Sequence, residues 1–102
     1  MSPTQRSLQY LRKLGATIGI TEHWNQHARI RQDLFGFIDM VALLDGSILA
    51  VQTTSGPNVA ARMQKIDESN AARKWMACGG RIEVHGWRKV RPFRGSKLWR
   101  WE

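Results

Sequence analysis

Asp39 and Gln52 are the residues whose types and setting point most directly to chemistry. Asp39 lies within the apolar run Gly36-Phe37-Ile38-Asp39-Met40-Val41-Ala42-Leu43-Leu44, and Gln52-Thr53-Thr54 closes a second one, Ile48-Leu49-Ala50-Val51. An ionisable side chain in a strand covered on both faces is costly unless charge or hydrogen bonds compensate it. Residues two apart in a strand share a face at ~6.6 Å spacing, so Gln52 and Thr54 point one way and Thr53 the other. With Asp39 on the face of Gln52, one carboxylate and two neutral oxygens converge, and Glu22 supplies a second carboxylate. Hard divalent cations, Mg²⁺ or Mn²⁺, take such oxygen donors, and a cation so placed activates water and offsets charge on a phosphate. Asp33 shares the parity of Asp39 and is the rival second acid, with Arg29 and Arg31 nearby as plain salt-bridge partners. The simpler alternative is that Asp39 is a hydrogen-bonded structural acid and that Gln52 and Thr54 pin a strand end.

The elements that must position these groups follow from local patterns. Ser2-Pro3-Thr4-Gln5 is a helix start with a capping serine, proline at the first turn and glutamine closing a capping box. Leu8, Leu11 and Leu14 line one side as far as Gly15, which predicts a helix from Pro3 to Leu14. The β-branched stretch from Ala16 to Trp24 predicts a first strand. Asn25 to Gln32 reads as a loop or strand edge whose Arg29 and Arg31 form a basic rim beside His23 and His27. The two apolar runs, joined at Asp45-Gly46-Ser47, predict a central hairpin. Val59 to Ala77 is helical in composition, with Asp67-Glu68-Ser69-Asn70 as the place where it divides, and Gly79-Gly80 ends it. Arg81 to Trp87 alternates with period two, a strand with one face covered and one wet. Lys97 to Trp101 is a candidate edge strand beyond Pro92 and Gly95. The order is α-β-β-β-α-β in an α/β domain spanning residues 1–102.

Composition narrows the partners. Sixteen Lys and Arg against eight Asp and Glu give a net charge of +8 in 102 residues, which favours a polyanion, nucleic acid ahead of a membrane surface. The basic residues Arg88, Lys89, Arg91 and Arg94 are interleaved with Trp87 and Phe93, and Trp99 and Trp101 follow. Phosphate neutralisation and base stacking both use such residues, and exposed tryptophans alternatively form a homodimer surface. The lone Cys78 allows no internal disulfide, no signal peptide is evident, and no apolar run approaches the ~20 residues of a membrane span. A reduced, cytoplasmic setting is expected. The three histidines lack metal-ligand spacing and read as surface residues.

This order of elements, with Gly36-Phe37-Ile38-Asp39 on the second strand and Gln52-Thr53-Thr54 closing the third, resembles the PD-(D/E)XK nuclease superfamily, which includes Holliday junction resolvases and small VRR-type nucleases. The likeness covers nearly the whole chain. It implies a restriction-endonuclease-like αβββαβ core, with a mixed sheet flanked by helices, and Mg²⁺- or Mn²⁺-dependent cleavage of DNA, including branched or junction DNA. Asp39 matches the family's metal-binding aspartate. The acid-x-lysine triplet of that family matches Gln52-Thr53-Thr54, so glutamine replaces the acid and Thr54 replaces the lysine. A divergent threonine-containing triplet is similar to that of very-short-patch repair endonucleases. The resemblance therefore implies Asp39, Gln52 and Glu22 as metal ligands, Thr54 orienting water or phosphate, and Lys65, with Arg62 one turn earlier, supplying charge from the following helix. The alternative within the same fold is a nucleic-acid-binding module without catalysis.

Overall fold

The computed structural model describes residues 2–90, 100 and 101. Helix α1 runs Pro3–Lys13, and four strands, β1 (Thr17–Ile20), β4 (Met40–Leu44), β5 (Ser47–Ser55) and β6 (Arg81–Trp87), form a mixed sheet in the order β1-β4-β5-β6. The first two pairings are antiparallel and the β5–β6 pairing is parallel. A small hairpin, β2 (His23–Asn25) with β3 (Ile30–Gln32), stands as its own two-stranded sheet. Helices α2 (Val59–Asp67) and α3 (Asn70–Ala77) connect β5 to β6 after a 3₁₀ turn, Gly56–Asn58, and β7 (Lys89–Val90) pairs with β8 (Arg100–Trp101). The fold is mixed α/β.

Local chemistry sets most boundaries. The expected capping box is formed, with Gln5 N–H donating to Ser2 Oγ at 3.2 Å and Ser2 N–H donating to Gln5 Oε1 at 3.0 Å. Asp45 and Gly46 both take positive φ, 52° and 75°, the requirement of a two-residue type I′ hairpin loop. The predicted division of the long helical stretch occurs at Glu68-Ser69, where Ser69 Oγ accepts from Ala72 N–H at 3.2 Å and caps α3.

The sheet is covered on both faces. Leu11 of α1 packs with Met40, Ala42, Leu49 and Val51 on one face, while Ile66 and Ala72 of α2 and α3 pack with Phe37, Ile38 and Ala50 on the other. Gly86 is required by this second layer, since a Cβ there would collide with Val59 Cγ2. Hence α2 begins directly over the end of β6.

Three expectations are corrected. The first strand ends at Ile20 rather than Trp24, because the amides of Thr21 and Glu22 both donate to the Asp39 carbonyl, at 3.0 and 3.2 Å, after which the chain leaves for its own hairpin. The first strand of the central hairpin begins at Met40 rather than Gly36. Leu34 and Ile38 instead exchange backbone hydrogen bonds across a tight loop in which Phe35 and Gly36 have φ of 54° and 80°. The apolarity of Phe37 and Ile38 thus serves the core under α2 and α3, not a strand. Lastly, His85 is not a surface residue: its side chain is only 11% exposed, because α1 covers the face of β6 expected to be wet.

Candidate functional site: an acid cluster at one end of the sheet

Asp39 sits where β1 stops, β4 starts and β5 passes through. Its own amide donates to Val51 O at 2.9 Å, and its carbonyl holds the end of β1. The side chain is 4% exposed. Oδ2 accepts from Thr53 N–H at 2.7 Å, from Thr53 Oγ1–H at 3.2 Å and from Gln52 Nε2–H at 3.0 Å. Thr53 is itself positioned by α1 through a 2.9 Å hydroxyl contact with Thr4. A helix, two strands and one carboxylate are therefore tied together at this point.

Two more carboxylates approach. Glu22, just before β2, and Asp33, just after β3, each bring an oxygen into a group with Asp39 whose members lie within 4.8 Å of one another. Both sit at the base of the β2–β3 hairpin, so the hairpin closes the cluster by folding back on itself. Gln52 Nε2 also lies 3.4 Å from Asp33 Oδ2, while Glu22 is paired with the exposed Arg31 at 3.3 Å.

The cluster holds more acceptors than donors. Burial first, then the hydrogen bond and charge of Asp33, together with the charge of Glu22, raise the Asp39 carboxyl from 3.8 to about 7, against the lowering effect of the Thr53 amide. Gln52, 2% exposed, leaves its Oε1 without a hydrogen-bond partner among the described residues. A buried amide oxygen left unpaired costs ~1–3 kcal/mol. The three carboxylates form an all-oxygen donor set that suits a hard divalent cation, and because Nε2 is the Gln52 atom turned to Asp33 and Asp39, Oε1 would join that set only with the amide turned over. A cation would relieve the carboxylate repulsion, and a Gln52 amide turned over to meet it would no longer leave Oε1 orphaned.

The sequence-predicted residues fall into three groups. Asp39, Gln52 and Glu22 come together as expected, and Asp33 joins them rather than replacing Glu22. Thr54 is buried beside Gln52 and pairs in register with Gly86, but the threonine that reaches Asp39 is Thr53, whose amide lies in the plane of the sheet. Lys65, exposed on α2, lines an open cleft of about 520 Å³ with Asp33, Arg31, His23 and Phe35, so of the three acids it shares the cleft with Asp33. Arg62 is half-buried one turn earlier on α2. Arg29 and Arg31 lie exposed on the hairpin, and Arg88 and Lys89 lie exposed at the end of β6 and in β7. Arg91 and Arg94 lie outside the described residues, as do Phe93 and Trp99.

Trp87 departs from its expected role as a stacking platform. Its Nε1–H donates to the fully buried Ser7 Oγ at 2.8 Å, and Ser7 is 2.8 Å from His85 Nδ1. His85 Nε2 in turn is 2.8 Å from Glu83 Oε1. Alternation along β6 places Glu83, His85 and Trp87 on the α1 side, a signal present in the sequence once α1 is known to cover that side.

No helix among the described residues is long and apolar enough to cross a membrane. No family model, curated protein or solved structure matches the chain.

Proposed function

We propose that this chain is a metal-dependent nuclease that hydrolyses DNA phosphodiester bonds, built on a restriction-endonuclease-like core. The observation that carries the reading is the acceptor-rich cluster at the sheet end, where Glu22, Asp33 and Asp39 converge beside the orphaned Oε1 of Gln52. Asp39 is the central ligand, Glu22 and Asp33 flank it, and Gln52, whose Nε2 faces the acids in the metal-free chain, would turn its amide over to contribute Oε1. A divalent cation held there, Mg²⁺ or Mn²⁺, supplies a water of lowered pKa and offsets charge on the phosphate. Thr53 holds the Asp39 carboxylate in place. Lys65 and Arg31 line the adjoining cleft and bind the DNA backbone next to the acids. A net charge of +8 supports a polyanionic substrate.

A second reading is a binding module of the same fold without catalysis. It is favoured by Thr54, which puts a neutral side chain where the resembled family has its lysine. One experiment separates the two. Supercoiled, linear and four-way-junction DNA are incubated with Mg²⁺ or Mn²⁺ and either the native chain or Asp39→Asn. The nuclease reading expects metal-dependent cleavage that falls at least about a hundredfold in the variant. Cleavage that survives in Asp39→Asn sinks the site, and tight binding without cleavage establishes the second reading.

A further inference from the structure

Beyond the acids themselves, the hairpin they bracket is unusual. Glu22 precedes β2 and Asp33 follows β3, and an exposed aromatic stands two residues after each: Trp24 at 56% exposure and Phe35 at 61%. Trp24 lies directly across from Arg31 in the hairpin register, and side chains directly opposite share a face. Arg31 reaches Glu22, so the Trp24 face is also the face turned toward the acids. Phe35 lines the cleft that contains Asp33, Arg31 and Lys65. Its φ of 54° is a conformation that bulky residues rarely adopt, and such backbone strain is concentrated where function requires a side chain in one place. The hairpin has no core of its own, since Ile30 on its opposite face is also half exposed. Two-stranded hairpins of this kind are marginal in water without something to pack on.

We infer that Trp24 and Phe35 are stacking platforms for unpaired bases on either side of the acid cluster, making the preferred substrate DNA with unpaired bases at a duplex junction rather than continuous duplex. This assignment rests on the nucleic-acid reading of the site and sharpens its substrate class. In continuous duplex every base is already stacked on its neighbours, and aromatic platforms gain little. At a fork or branch the bases beside the junction offer free faces, and stacking on aromatic side chains is largely independent of base identity. Arg31, on the same face as Trp24, contacts the intervening phosphate and contributes to duplex and fork alike.

The test is equilibrium binding of the full chain, in Ca²⁺ and again in EDTA. One labelled ligand is a forked DNA with two unpaired arms; the other is a fully paired duplex with the same number of phosphates. The native chain is expected to bind the fork at least about fivefold more tightly than the duplex. Trp24→Ala and Phe35→Ala are each expected to weaken fork binding about fivefold or more while leaving duplex binding within about twofold. Trp24→Phe should restore most of the loss, and circular dichroism confirms that the variants fold. Arg31→Ala should weaken both ligands equally. Equal affinity for fork and duplex, or losses in the aromatic variants that are the same for both, overturns the inference. Because no cleavage is measured, the two proposals fail separately. A fork preference in a chain that does not cut leaves the stacking platforms standing and removes the nuclease, whereas cutting with no fork preference does the reverse.

Discussion

Two partly buried polar clusters lie a few residues apart in this small domain, and they are built on opposite principles. In the one beneath α1, Trp87 Nε1–H donates to Ser7, and the Ser7 hydroxyl can donate to His85 Nδ1 while His85 Nε2–H donates to Glu83. Donors and acceptors match along one chain of hydrogen bonds. The serine, histidine and glutamate superficially suggest a nucleophilic triad, but Ser7 is fully buried and its oxygen already accepts from an indole. In the other cluster, three carboxylates crowd together, the Asp39 carboxyl is raised to about 7, and a buried amide oxygen has no partner among the described residues. Buried polar groups are ordinarily satisfied. The satisfied network holds α1 to β6, and the unsatisfied one identifies where a ligand would improve the protein's own energetics.

The largest effect expected from this contrast is a pH dependence. A carboxyl whose folded pKa lies above its unfolded value binds more protons in the folded chain than in the unfolded one across the window from about 4 to about 7. Stability therefore falls as pH rises through that window, by up to about 4 kcal/mol. Thermal melts at pH 5 and pH 8 measure it. Mg²⁺ should raise the melting temperature at pH 8 and do little at pH 5, where protons occupy the same oxygens. Asp39→Asn should flatten the pH slope and abolish the Mg²⁺ shift. A Mg²⁺ shift that persists in that variant would break the contrast.

Ser7→Ala attacks the satisfied network. It leaves the Trp87 indole and the His85 Nδ1 without their partner, at a cost of about 2–4 kcal/mol, while the Mg²⁺-induced shift in the melt should be unchanged. If Ser7→Ala also removed the Mg²⁺ response, the two clusters would not be separate. Gln52→Glu sharpens the difference from the other side. A fourth carboxylate should destabilise the metal-free chain at pH 8 by about 1–2 kcal/mol through like-charge burial and should tighten Mn²⁺ binding measured by calorimetry. The smallest effect is at Phe35. Phe35→Gly removes a bulky side chain from a positive-φ position and is expected to change the melt by no more than about 1 kcal/mol.

Much of this contrast is legible in the sequence, and the rest is missing for identifiable reasons. The helix start at Ser2, the turn at Asp45-Gly46 and the break near Ser69 are encoded by residues that act within one turn of themselves, and the structure places each where local chemistry predicts. The pairing of Asp39 with Gln52 follows from strand neighbours and is also readable. The hairpin from His23 to Gln32 is not, because its strands are three residues long and carry no alternation of core and solvent faces. Its one local signal was Asn25, whose Oδ1 accepts from the amides of His27 and Ala28 at 2.9 and 3.0 Å and starts the turn. Without the hairpin, Glu22 and Asp33 read as alternatives for one position, although folding back brings both. Side-chain parity puts Thr53 on the α1 face, opposite Gln52, and its contact with Thr4 bears that out; parity does not show that Asp39, at the strand end, lies within reach of both the Thr53 amide and its hydroxyl. The burial of His85 is not legible because period-two alternation tells which residues share a face but not which face a helix will cover.

The Asp45-Gly46 turn lies at the far end of β4 and β5 from the acids, roughly 17 Å away at ~3.3 Å per residue along the strands. Its geometry is fixed by two residues alone, and both are exposed. It is therefore the natural point at which to attach something foreign. A surface tether or a fused domain attached at this turn would leave the acid end facing outward, so that immobilised protein and free protein should present the same cluster to a ligand arriving from solution.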